Sequence, residues 1–149
     1  PEYSAVFHCR GCWAVLSDSL KLCAQEDRDL RAVVCCRQCR AGPGRRGRRS
    51  AGSLYLSLSL PSGATDEVIW KDSLMVGLEG ALKGCAYYGL SCRSCGLAVG
   101  IILYSTPRRL ACLRGLFCFF KDYILCYFLK TQMVIEASLV KFPAVTIKD

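Results

Sequence analysis

The chain of 149 residues contains a single histidine, His8, and this scarcity excludes several kinds of site. Catalytic zinc centres depend largely on histidine ligands, and nucleophile dyads of the Ser–His or Cys–His type need a histidine as the base. The sequence also lacks any apolar run near the roughly 18 residues that a membrane-spanning helix requires. We therefore expect no histidine-based enzyme and no membrane span.

The sequence shows no signal peptide and begins at Pro1, without an initiator methionine. This start predicts a fragment or a partial gene product. Cysteine, in contrast, is abundant, with 12 residues. Because several cysteines lie inside apolar or strand-like runs, where a thiol behaves as a small hydrophobic group, we expect a reducing compartment with buried thiols and bound metal. The cysteines in such runs are Cys23, Cys35, Cys112, Cys118 and Cys126.

Acidic residues are absent from one segment, 38–64, which carries five arginines. Five of the eight net positive charges therefore belong to this segment and not to the rest of the chain. Its first half has the composition of a disordered linker, whereas Leu54 to Leu60 alternate with polar residues as in an amphipathic strand. We interpret 38–64 as an atypical low-complexity insertion. Its arginines are Arg40, Arg45, Arg46, Arg48 and Arg49.

Short apolar runs bounded by glycine, proline and polar turns predict a mainly antiparallel β domain with little helix. We expect a polar connection over 25–29, a turn at Lys71–Asp72 between two strands, and a glycine-rich loop over 77–84. Residues 123–129 fit a strand or a helix equally well. The expected strands lie at 5–7, 13–16, 31–35, 67–70, 74–76, 87–91, 97–104 and 116–119, with a further short element at 133–140.

Two Cys-x-x-Cys pairs, Cys9–Cys12 and Cys92–Cys95, each lie between two strand-like runs. A gap of two residues lets both thiolates of a tight turn face one tetrahedral ion, so two such turns supply four ligands of a closed structural zinc site. Gly96 follows the second pair and allows the turn that brings backbone amides toward the sulfurs. We predict one structural zinc on these four cysteines.

A third pair, Cys36–Cys39, competes with this assignment, since its distance from Cys12 is close to zinc-ribbon spacing. The chain after Cys39 runs directly into the basic glycine-rich segment, which offers no second strand to hold this pair. We therefore favour the pairing of Cys9–Cys12 with Cys92–Cys95. His8 is adjacent to Cys9 and its side chain should point to the opposite face of an extended chain. We expect His8 to be a strand residue and not a ligand.

Several stretches resemble the Mis-eighteen family with its Yippee-type zinc domain, and in particular the beta branch of that family. They include Ala-Val-Phe-His-Cys-Arg-Gly-Cys-Trp at 5–13, Val-Gly-Leu-Glu-Gly-Ala-Leu-Lys-Gly at 76–84 and Cys-Arg-Ser-Cys-Gly at 92–96. Further matching stretches lie at 103–106, 113–118 and 126–131. The resemblance implies two antiparallel sheets clamped at one end by zinc, with Cys9, Cys12, Cys92 and Cys95 at the ligand positions.

The same resemblance implies a non-enzymatic protein of the nucleus that acts at the centromere of the chromosome. There it helps direct deposition of the histone variant CENP-A. The implied partners are an alpha paralogue of the family, a Myb-domain binding protein and the chaperone of CENP-A, within a hetero-oligomer.

The chain departs from the family pattern in two places. The family lacks the insertion at 38–64, which we interpret as a retained intron in a gene model, and it continues into a C-terminal helix that is absent here. The expected organisation is a first part of the zinc domain over 1–37, the insertion, a second part over 65–140 and a tail over 141–149.

Two further functions compete with an interaction scaffold. A nucleic-acid-binding zinc domain would use arginines such as Arg108 and Arg109 to contact phosphates. A thiol oxidoreductase would need its first thiol at a helix N-terminus, whereas both pairs here are followed by strand-like runs. For the scaffold, we expect Phe117 and Phe119 to pack in the core and Phe120 and Tyr123 to contact a partner.

Overall fold

The computed structural model describes residues 4–36 and 64–142, which form two antiparallel β-sheets. One sheet has four strands and the other has six. The helices of this part of the chain are short 3-10 turns. The expected fold class is thus confirmed. The strands are β1 (Ala5–Cys9), β2 (Val15–Asp18), β3 (Leu22–Asp27), β4 (Ala32–Cys35), β5 (Val68–Val76), β6 (Ala86–Cys92), β7 (Ala98–Ser105), β8 (Phe117–Phe120), β9 (Ile124–Phe128) and β10 (Met133–Glu136). The four-stranded sheet has the order β10-β9-β1-β2, and the six-stranded sheet has the order β3-β4-β8-β7-β6-β5.

The insertion at 38–64 lies outside the described residues except for Ala64, and so do Cys39 and the tail from residue 143. The expected domain boundaries therefore remain predictions. At the downstream boundary, Ala64 packs against the core, and the Thr65 N–H donates to the carbonyl of Leu16 over 2.9 Å. The second part of the domain is therefore attached to the first from Ala64 onward.

The six-stranded sheet carries apolar side chains on both faces. Strand β4 shows this directly, because all four of its residues are buried. Val33 and Cys35 belong to the cluster between the sheets, whereas Ala32 and Val34 belong to a cluster on the opposite face. Such alternation follows from the two-residue period of a strand. A continuous apolar run such as 32–35 is what a strand buried on both faces requires.

The neighbouring strand β8 continues both clusters. Phe117 and Phe119 are fully buried between the sheets, as the sequence predicted, and their rings form an edge-to-face pair with centroids 6.1 Å apart. Cys118 between them is buried on the opposite face. Along β8, Phe117 and Phe119 therefore fill the space between the sheets, and Cys118 and the partly buried Phe120 pack into the opposite cluster.

Two expectations about the polar stretches are wrong. The connection expected over 25–29 has the wrong bounds, because β3 extends through Asp27 and pairs with β4, and the turn lies at residues 28–31. The expected turn at Lys71–Asp72 lies inside β5, a single strand whose register with β6 shifts between Trp70 and Leu74. Both strands lie at the edges of the six-stranded sheet, where solvent-facing positions accept polar residues and bulges.

The other local expectations agree with the structure. Residues 124–128, which fitted two alternatives, form the strand β9. The loop over 77–84 contains a 3-10 turn, Gly80–Leu82, and both Gly80 and Gly84 adopt positive φ.

The two Cys-x-x-Cys turns share one backbone pattern. In the first, the N–H of Cys9 donates to the carbonyl of Ala14 and the N–H of Trp13 donates to the carbonyl of Cys9, each over 2.8 Å. In the second, Cys92 bonds to Leu97 over 2.9 Å and Gly96 bonds to Cys92 over 2.8 Å. Trp13 and Gly96 thus hold equivalent positions, and both have positive φ, at 68° and 82°. A tryptophan there carries a conformational penalty that glycine does not.

We predict that Gly100→Ala destabilises the domain strongly. A Cβ at Gly100 of β7 would lie 2.2 Å from the carbonyl oxygen of Cys118 in the adjacent strand, so the backbone would have to move. Overpacking of this kind costs about 3 kcal/mol. The control is Gly89→Ala in β6, where an added Cβ meets nothing within 4 Å. Urea unfolding of both variants tests the prediction, and equal midpoints would contradict it.

We also predict that substitutions at the two equivalent turn positions, Trp13 and Gly96, change the free energy of unfolding in opposite directions. Trp13→Gly should raise the free energy of unfolding by about 1 kcal/mol, because it removes the cost of a left-handed backbone at a residue with a Cβ. Gly96→Ala should lower it by a similar amount, although an added Cβ has open space there. The measurement is thermal unfolding with zinc bound. Destabilisation by both substitutions would refute the equivalence of the two turns.

Candidate metal centre

The fold brings four thiols together that are far apart in sequence. The sulfur atoms of Cys9, Cys12, Cys92 and Cys95 all lie within 4.8 Å of one another. The Sγ of Cys9 is 3.6 Å from that of Cys95, and the Sγ of Cys12 is 3.5 Å from that of Cys92. Each short distance joins one turn to the other, so the four sulfurs form one group.

The position of each pair at the end of a strand explains this meeting. Strand β1 of the four-stranded sheet ends at Cys9, and strand β6 of the six-stranded sheet ends at Cys92. Each chain then turns through its second cysteine into the next strand. The thiol cluster therefore joins the two sheets at one common end. The first cysteine of each pair is buried, and the second lies nearer to solvent.

The geometry of this group fits one tetrahedral zinc ion. Zn–S bonds of about 2.3 Å place the sulfurs of a regular tetrahedron about 3.8 Å apart, close to the two short distances found here. Four thiolate donors would fill all four coordination positions around the ion. This ligand set is typical of a structural site, because it leaves no place for a catalytic water. The ion would supply a cross-link between the sheets together with positive charge among the four sulfurs.

Backbone amides surround the sulfurs and favour their ionised forms. The Gly11 N–H donates to the Sγ of Cys9 over 3.3 Å, and the Leu97 N–H lowers the pKa of Cys95 below its ordinary value. Burial acts in the opposite direction and raises the pKa of Cys9 to about 12. A buried thiolate at Cys9 therefore needs a nearby cation, and a divalent ion held by all four sulfurs meets that need.

Arginines in the two turns fix the cluster to its surroundings, and sequence reasoning did not identify them. In the first turn, the guanidinium of Arg10 donates to the carbonyl of Asp122 over 3.1 Å and to the Glu136 carboxylate over 3.0 Å. In the second, Arg93 Nε donates to the carbonyl of Asp66 over 2.8 Å. The sequence does contain a signal for these arginines, because in both pairs an arginine directly follows the first cysteine.

The ring of His8 is directed away from the cluster, as expected. Its Nδ1–H donates to the carbonyl of Trp13 over 2.8 Å, and it lies on the less buried face of β1. Among the described residues, neither His8 nor Cys36 belongs to the thiol group. The Cys36 N–H instead donates to the carbonyl of Lys21, so this residue extends the pairing of β4.

Most of the other expected core thiols are buried. Burial raises the pKa of Cys35, Cys118 and Cys126 to about 12, which keeps them protonated and poorly nucleophilic at neutral pH. Cys23 is only partly buried. The expectation for Cys112 is wrong, because it is exposed on the 3-10 segment Arg108–Leu113. A 3-10 turn on the surface presents some of its side chains to solvent, whatever their polarity.

Among the described residues, no helix is both long and apolar enough to cross a membrane. This agrees with the short length of the 3-10 turns.

Comparison with known proteins places the chain in a defined family. Residues 5–139 match the family model described as "Yippee zinc-binding/DNA-binding /Mis18, centromere assembly". A solved structure described as "Crystal Structure of Mis18 'Yippee-like' Domain" has 22% sequence identity and a TM-score of 0.59. The match covers 83% of this chain and 95% of that one. At this identity the solved structure supports the fold, while the family match extends over most of the sequence. The chain belongs to the Yippee/Mis18 family of zinc-binding proteins.

Proposed function

We propose that this chain is a non-enzymatic scaffold subunit, of the beta branch of its family, that helps direct new CENP-A to centromeres in the nucleus. The family model, which names centromere assembly, supports this proposal. The observation that carries it is the position of the thiol cluster at the joined ends of two sheets. A closed tetrathiolate site contributes rigidity and no reaction, so function belongs to the surfaces that it holds in place.

In this proposal Cys9, Cys12, Cys92 and Cys95 bind one structural zinc ion. Their mutual distances, the amide donors around them and their placement at the ends of β1 and β6 support the assignment. The other buried thiols then serve as small apolar side chains of the core.

We further propose that Phe120 and Tyr123 contribute to a contact with the alpha paralogue. Tyr123 is 43% exposed, and its ring lies 6.2 Å from that of the partly buried Phe120. The Tyr123 carbonyl accepts from the Arg10 N–H over 3.0 Å, which fixes this surface to the first cysteine turn. An exposed aromatic side chain on a rigid support is a common anchor of protein interfaces. The Myb-domain protein and the CENP-A chaperone are the other proposed members of the complex.

We predict that Cys92→Ser abolishes zinc binding and unfolds the domain. Three thiolates with an open fourth position bind zinc poorly, and a structural site contributes folding free energy on the order of 10 kcal/mol. The matched control is Cys36→Ser, which should retain about one zinc ion per chain. Elemental analysis of the purified proteins and circular dichroism measure the two effects. Stoichiometric zinc in Cys92→Ser would refute the ligand assignment.

We predict that Tyr123→Ala weakens capture of the alpha paralogue about tenfold, while zinc content and melting temperature stay unchanged. The reason is the loss of an exposed anchor that supports no core packing. Leu20→Ala, at a side chain that is 77% exposed, is the control and should bind normally. Affinity is measured by titrating the purified paralogue.

A cellular experiment tests the proposed function itself. Cells depleted of the endogenous beta protein receive this chain or its Cys92→Ser variant, and newly made CENP-A at centromeres is counted by pulse labelling. We expect this chain to restore deposition and the variant to fail. Equal deposition without either chain would contradict the scaffold role.

A further inference from the structure

A cavity of about 410 Å³ lies on the six-stranded sheet, toward the end remote from the thiol cluster. Tyr88 of β6 precedes Cys92 by four residues, which corresponds to roughly 13 Å along an extended strand. The volume falls within the range of small-molecule sites, about 300 to 1,000 Å³. The described residues that line it are Trp70, Tyr88, Ile102, Leu103, Tyr104, Arg114 and Gly115.

Three aromatic rings form one wall of the cavity, and each comes from a different strand. Trp70 of β5 and Tyr88 of β6 have centroids 5.8 Å apart and planes inclined by 35°. Tyr104 of β7 lies 6.0 Å from Tyr88 at an angle of 76°. The Tyr104 side chain is 62% exposed, so its ring is open to a ligand. The three rings form a contiguous aromatic platform on adjacent strands, in which Tyr104 stands nearly perpendicular to Tyr88.

Arg114 is the only charged residue among the described residues that line the cavity. Its Nε donates to the hydroxyl of Thr106 over 3.0 Å, which orients the guanidinium and leaves its terminal N–H groups for another acceptor. The charge carried by the described lining residues is therefore positive. It disfavours a cationic ligand over the aromatic rings and favours an anion next to a neutral planar group.

We propose that this cavity binds a nucleotide unit, with the base on the aromatic platform and the phosphate at Arg114. Base stacking on aromatic side chains next to basic residues is the common mode of single-strand recognition. The same chemistry accommodates a free nucleotide or one unit of a single strand. The inference rests on the residues of the cavity and is independent of the proposed scaffold role.

Trp70 provides a local signal for testing this site. The chain has two tryptophans, so in Trp13→Phe the fluorescence reports Trp70 alone. The probes are a single-stranded oligothymidylate of about twelve nucleotides, thymidine monophosphate and a duplex of the same length. We expect the single strand to quench Trp70 in the zinc-loaded full chain, and the duplex to quench much less. Quenching by the monophosphate at similar affinity would assign the site to free nucleotides; quenching by the oligomer alone would assign it to single strands.

Matched variants separate stacking from general attraction to phosphate, which the arginines at 45–49 also supply. Tyr104→Leu and Arg114→Gln, each added to Trp13→Phe, should weaken the quenching titration about tenfold, the usual effect of losing one stacked base. The controls are Tyr127→Leu, on β9 of the four-stranded sheet, and Arg28→Gln, at an exposed position. Neither residue lines the cavity, and both variants should titrate normally. Zinc content and melting temperature are measured for every variant. Absence of quenching, or equal titrations in all four variants, would overturn the proposal.

Discussion

The joining of the two sheets at one end is the constraint on which the rest of this structure depends. The four-stranded sheet reaches the thiol cluster through β1, and the six-stranded sheet reaches it through β6. Hydrophobic packing between the sheets is strong but does not by itself fix where they meet, because apolar contact has little directionality. Four metal–sulfur bonds would be directional and short. They would set the common end, while the fully buried Phe117 and Phe119 fill the space between the layers.

Much of this arrangement could be predicted from the sequence, because its strongest signals are local. Each Cys-x-x-Cys pair of the thiol cluster lies between two apolar runs, and this context distinguishes both pairs from Cys36–Cys39. The buried strand β4 and the core phenylalanines of β8 likewise follow from the hydrophobic pattern. In contrast, the end of β3 was missed because an edge strand can carry polar residues along its solvent-facing side and then resembles a loop.

Features that depend on strand register could not be predicted. Trp70, Tyr88 and Tyr104 are 16 to 18 residues apart, and only the pairing of β5 with β6 and of β6 with β7 places their rings side by side. The register shift inside β5 contributes to this placement, since one residue more or less would turn side chains to the other face. The hydrogen-bond partners of Arg10 and Arg93 in the cysteine turns could not be predicted either, because these carbonyl and carboxylate groups lie on distant parts of the chain.

Strand β6 connects the thiol cluster to the aromatic cavity. At one end Cys92 belongs to the thiol cluster, and Leu90 next along the same face is fully buried between the sheets. On the same face, four residues before Cys92, Tyr88 lines the aromatic cavity. Because β6 pairs with β5 on one side and with β7 on the other, a displacement at Cys92 is resisted along most of the strand. A metal ion at the thiol cluster would thus help to order a surface that it does not contact.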